Sequence, residues 1–291
     1  MKLALLFIMA GCINIISNFL GSFLAELFWN IEVFGNREAL MNLDSPEAIS
    51  AAKFQTLMMH TGLMVIPSLI FPYVIKENTI DYLKLNQKIY SREMILTIIL
   101  MIALLPIIKW LGDFNSKLSL PDAFSSLEKN MRDLQEKARK MTESFIKMNS
   151  FSTFLLNLFI IAIIPAIGEE FLFRGLLQKL IGEWTKNIHI GIFVSAILFS
   201  ALHFQFFGFL PRMFLGVIFG YLFIWSGTIW LPIFAHFINN GAAVFFSYLE
   251  QSGKIDSPPE KEMGQMPFIS VILGILISGG ILYLIKKNKQ P

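Results

Sequence analysis

One cysteine, Cys12, stands in 291 residues. No internal disulfide can form, and no cysteine-based zinc site can be built. Charge is scarce too, at 15% of residues, where soluble domains carry about a quarter. The net charge is only +3 and no basic patch alternates with aromatics, so nucleic acid is not an expected partner. Histidine is limited to 4 residues, and the local HExxH pattern of zinc proteases is absent. There is no internal repeat and no low-complexity segment. What remains is apolar: 55% of residues are hydrophobic and the mean hydropathy is +0.61. That is the composition of an all-α, polytopic membrane protein.

A span needs roughly 20 apolar residues. Eight are expected, at about 3–29, 54–75, 93–111, 151–181, 188–207, 209–227, 228–249 and 266–285. The start, "MKLALLFIMAGC", resembles a lipoprotein signal sequence, but the apolar run continues through Ile13–Phe28, so an uncleaved first span is expected. Between Asn187 and Leu249 the one formal charge is Arg212, and "GFLP" and "SGT" supply turns. Three regions follow: spans of the N-terminal part in 1–150, a core in 151–250, and a loop with the last span in 251–291.

Lysine and arginine set orientation. Outside the long loop before span four, 11 lie on the side of the chain ends and 5 on the other; that loop holds 8, Lys109 to Lys147. Leaving the loop aside predicts an integral plasma (inner) membrane protein with both ends cytoplasmic. Within the loop, Phe124, Leu127, Met131, Leu134, Ala138, Met141, Phe145 and Met148 recur at steps of three and four. This predicts an amphipathic helix over 121–148, capped by Asp122. It is expected to lie on the membrane surface or on the bundle. A lid or a coiled coil is the sharper alternative, but the apolar face carries Met and Ala rather than a Leu/Ile seam.

Charged residues inside membranes are expensive and mark functional sites. Glu169-Glu170-x-x-x-Arg174 places Glu170 and Arg174 at i and i+4, close enough to pair, with Glu169 rotated about 100° away. Pro165, four residues earlier, removes a helix hydrogen bond and can kink the span. Phe199-x-x-x-His203 and His236-x-x-x-Asn240 follow on later apolar segments, the second with Pro232 four residues before His236. Each has an ordinary reading alone: a helix-end ion pair, a packed histidine, a polar helix–helix contact. Asn239, one position along, serves packing. Together, a carboxylate, two imidazoles and an amide on three apolar helices form a set that can converge. Gly216-x-x-x-Gly220 is expected to pack within the bundle. His60 reads as a packed span histidine and His189 as a loop-end residue.

That set fits hydrolysis. A carboxylate acts as general base toward water, one imidazole shares that water, and a second imidazole with an amide donates to an oxyanion. Ser200 has no base placed for it. The alternative is Zn²⁺ held by Glu169, His203 and His236 with an open fourth position.

In order and type, the three motifs resemble those of the CAAX prenyl protease and bacteriocin-processing family, also called Abi, over about residues 150–250. The resemblance implies an intramembrane endopeptidase of about eight helices whose site opens toward the cytoplasm. By position, Glu169 resembles the general base, His203 its partner in activating water, and His236 with Asn240 the oxyanion-stabilising pair. Glu170 and Arg174 resemble the supporting pair. A metal-independent glutamate mechanism is favoured over zinc, because the set includes an asparagine that zinc would not need. The expected partners are membrane lipid and a peptide or membrane-protein substrate. A non-catalytic immunity or peptide-binding protein using the same site is the alternative. A transporter ranks last, since no repeat is present.

Overall fold

The computed structural model describes residues 1–31, 33, 43, 45–258, 264 and 266–287. Arg37, Lys261 and Lys289, counted above for orientation, lie outside the described residues. The fold is a helical bundle, with no strand among the described residues. Its long helices are α1 (Lys2–Trp29), α2 (Pro46–Val74), α3 (Ser91–Ser116), α4 (Ser125–Phe145), α5 (Phe151–Thr185), α6 (Ile188–Ala201), α7 (Phe209–Ser226), α8 (Trp230–Gln251) and α9 (Phe268–Lys287).

Each expected span corresponds to one of these helices, and α4 is the amphipathic one. Six are long and apolar enough to cross a membrane: α1, α2, α3, α5, α7 with the turn before it, and α9. The other two fall short for separate reasons. At 14 residues, α6 reaches only about 21 Å. In contrast, α8 has 22 residues, but His236, Asn239 and Asn240 interrupt its apolar run.

Asp122 does not cap α4. It opens a 3₁₀ turn, Asp122–Phe124, and Phe124 then precedes the helix without any side-chain acceptor. Glu128 does the tethering instead, accepting from the Leu120 amide at 2.8 Å. The hydrogen bond from Arg132 holds the Glu128 carboxyl below its ordinary pKa. Phe124, Leu127 and Leu134 are exposed while Phe145 is buried, so the apolar face of α4 meets the bundle only in part. The Arg132 guanidinium covers the Phe207 ring at 4.4 Å. At the other end, Asn157 donates to the Phe145 carbonyl at 2.8 Å and Gln251 to that of Ile146 at 3.0 Å.

Three π-helical turns shape the centre: Thr61–Val65 in α2, and Leu158–Ile163 and Phe171–Leu177 in α5. The first two end just before Pro67 and Pro165. A π turn widens the helix, accommodates the missing proline N–H and resets which face the following residues present. Pro232 sits in the first turn of α8, where no intrahelical bond is lost. Gly168 brings α2 against α5, since a Cβ there would stand 2.9 Å from Val65 Cγ2 and 3.2 Å from Met64 Cβ. Gly216 and Gly220 pack within the bundle as expected, against Ala196 and Ile192 of α6. Their carbonyls accept from Arg174 at 3.2 Å and from Gln178 at 3.3 Å, so the glycine stripe also opens two acceptors to α5.

Candidate active site

The two adjacent glutamates of α5 have different surroundings. Glu170 is fully buried and meets two cationic or donor groups. Arg174 Nε lies 3.0 Å from its Oε2, an ion pair without hydrogen-bond alignment, and His236 Nδ1 lies 2.8 Å from its Oε1. Arg174 is fully buried as well. Its guanidinium sits 4.8 Å from the Phe199 ring centroid and 5.5 Å from that of Phe219, so aromatic faces complete the cage. Glu169, 4% exposed, faces imidazoles on both oxygens. His60 Nε2 stands 3.4 Å from Oε1 and His236 Nε2 3.6 Å from Oε2.

His236 therefore bridges the two carboxylates. With Glu170 ionised beside Arg174, Nδ1 carries the proton and Nε2 turns toward Glu169, an assignment made from the network. Phe219 stacks on the ring at 5.4 Å and fixes its plane. His203 joins through Phe199, whose ring lies 5.1 Å from His203 and 6.0 Å from His236. Nδ1 of His203 is 2.8 Å from the Phe199 carbonyl, which leaves Nε2 as its unengaged nitrogen. Asn240 donates to the Ile161 carbonyl of α5 at 3.4 Å and accepts from Asn239 at 3.1 Å.

The structure thus joins Glu169, Glu170, Arg174 and His236 by direct contact. Asn240 stands beside them on α8, and His203 in the turn after α6, which ends at Ala201 rather than running on to 207 as expected. The residue that the sequence reading passed over is His60, the nearest imidazole to Glu169. It belongs to no motif; its one distinguishing mark is being a histidine inside an apolar run. Phe199 also does more than pack, since it holds both the Arg174 guanidinium and the His203 ring. His189, read from the sequence as a loop-end residue, lies in the first turn of α6 and is bonded to the Tyr221 hydroxyl at 2.9 Å. Among the described residues, no group of three or more His, Cys, Asp or Glu side chains is disposed to hold a metal ion.

Residues 151–242 match the family model described as Type II CAAX prenyl endopeptidase Rce1-like. Over 86 residues the chain is 30% identical to the uncharacterized protein YpbD of Bacillus subtilis (strain 168), covering 28% of this chain and 41% of that relative. Over 97 residues it is 32% identical to the membrane-embedded CAAX protease MroQ of Staphylococcus aureus (strain USA300), covering 32% of this chain and 39% of that relative. The chain spans about two-fifths of the length of these curated relatives. No solved structure gives a significant match. All three motifs fall within the matched residues, so segment 151–242 of this integral membrane chain is similar to the Type II CAAX prenyl endopeptidase Rce1-like model.

Proposed function

We propose that the chain is an intramembrane endopeptidase that hydrolyses a membrane-associated peptide or protein with a glutamate-activated water. One observation carries the reading: of two buried neighbouring carboxylates, Glu170 is neutralised by Arg174 and His236, while Glu169 is left facing imidazoles. Glu169 takes one proton from water, and the hydroxyl oxygen bonds to the scissile carbonyl carbon. His60 and His203 hold that water. Asn240 donates to the oxyanion, and His236 joins it when Nε2 also holds a proton, with Glu170 keeping the His236 ring in place. Collapse breaks the C–N bond, and the proton on Glu169 passes to the leaving amine. The experiment is comparative peptidomics of host membranes, wild type against Glu169→Ala at equal expression. An uncut precursor is expected to accumulate in the variant. Identical peptidomes from equally abundant, folded proteins would count against a protease and favour the peptide-binding alternative.

Two expectations meet at the orientation in the plasma membrane. Cytoplasmic chain ends put α4 outside. A site opening to the cytoplasm puts α4 inside, because Lys53, Asn157, Asn240 and His203 lie between Glu169 and the α4-bearing end. The opposite end is closed by apolar side chains, among them Leu83, Leu176, Leu177, Phe223 and Ile229. We take the second arrangement. With the α4 loop included, the lysine and arginine balance is 13 on its side against 11, and loops of this length count toward orientation. In a Cys12→Ser background, Lys140→Cys is expected to react with a membrane-impermeant maleimide only after permeabilisation. Reaction in intact cells would restore cytoplasmic ends.

A further inference from the structure

Two cations inside the spans have carboxylate partners, Arg174 with Glu170 and Lys109 with Asp113, while Arg212 is held by Gln205 and Lys179 lies over the Tyr82 ring. Lys53 of α2 is the one among these that lies on the same helix face as His60 of the site. It is 8% exposed, and no carboxylate among the described residues pairs with it. Its ammonium donates to Asn157 Oδ1 at 2.7 Å and lies 5.9 Å from the Phe145 ring centroid. An ammonium has three N–H donors, so two of them lack an acceptor among the described residues. A buried cation offset, among the described residues, only by a neutral amide is costly to keep. In a membrane segment such a residue points to something it must meet.

Its position says what that is. Lys53 precedes His60 by seven residues on the same α-helical stretch, hence on the same face and about 10 Å along the axis. Both lean on α5, Lys53 at Asn157 and His60 at Glu169, and Asn240 meets α5 between them at Ile161. A few residues of extended peptide cover that distance. Lys53 also lies outside residues 151–242, so it is a feature of this chain's N-terminal helices.

We propose that Lys53, with Asn157 beside it, is a carboxylate-binding subsite that anchors the substrate peptide a few residues from the bond at Glu169. The proposal rests on the endopeptidase reading for its purpose, and binding tests it separately. The carboxylate is either the peptide's C-terminus or an aspartate or glutamate side chain. A purely structural alternative is that Lys53 clamps α4 through Asn157 and the Phe145 carbonyl.

The test uses the full-length chain in detergent, with Glu169→Gln to stop turnover, alone and combined with Lys53→Met or Lys53→Arg. Each protein captures from one peptide library made in paired C-terminal acid and C-terminal amide forms, with and without a single internal glutamate. Captured peptides are counted by mass spectrometry. Carboxylate-bearing forms are expected to exceed their neutral counterparts by about 10- to 100-fold, the worth of one charge-assisted hydrogen bond. The preference should vanish in Lys53→Met and persist in Lys53→Arg. Preference for the acid over the amide assigns the C-terminus; preference following the internal glutamate assigns a side chain. Equal or absent capture of charged and neutral forms overturns the proposal, as does a preference surviving Lys53→Met, which leaves only the clamp. If wild-type protein cleaves none of the library while the Lys53-dependent preference stands, the endopeptidase reading fails and the subsite remains.

Discussion

Glu169→Gln is expected to lower kcat by about 10²- to 10⁴-fold, the usual contribution of a positioned general base, with KM nearly unchanged. The amide has almost the same shape and can still meet His60 Nε2 and His236 Nε2, so substrate binding and packing should survive. What it loses is the ability to take a proton from water. The measurement is cleavage of the precursor found by membrane peptidomics, with purified protein in detergent. A loss confined to kcat marks an interaction needed in the transition state rather than in binding. If the glutamine variant kept most of its activity, Glu169 would not be the base. The phenotype then provides a second readout, because a peptide-binding protein would tolerate this near-isosteric change.

The sequence made the site's inventory legible for a physical reason. In an apolar chain every ionisable side chain within a span costs free energy, so Glu169, Glu170, Arg174, His203 and His236 stand out against their background. The pairing of Glu170 with Arg174 was also readable, since i and i+4 share one helix face. Less accessible was the use of His236 as a bridge between both carboxylates. That depends on how α8 crosses α5, which local spacing does not specify. His60 was hidden for the same reason: its role arises from the approach of α2 to α5 at Gly168, 108 residues further along the chain. The π turns before Pro67 and Pro165 also change the facing of the residues after them, and a 3.6-residue period does not anticipate that. The helix ends held where apolar runs stopped sharply. They shifted at Asp122, where a 3₁₀ turn intervened, and at Ser116, where α3 continues past Lys109 because Asp113 sits one turn on and pairs with it.

Arg174→Met should be the most destabilising single substitution at the site. It leaves Glu170 buried without its cation, and removing one partner of a buried pair costs about 3–5 kcal/mol. It also withdraws the donor to the Gly216 carbonyl and empties the space between the Phe199 and Phe219 rings. Unfolding by added SDS in mixed micelles reads the loss, and a change below about 1 kcal/mol would mean that the pair is not desolvated as the fold implies. Arg174→Lys should fall in between, since an ammonium can approach Glu170 but lacks the planar fork that also reaches Gly216. The double variant Glu170→Gln with Arg174→Met separates two duties. It removes both charges together, so much of the stability should return. Activity should stay low, because a neutral amide holds the His236 ring less firmly with Nε2 toward Glu169. Recovery of both would make Glu170 and Arg174 a structural pair only. Recovery of stability alone would show that the neutralised glutamate also orients the histidine serving its neighbour.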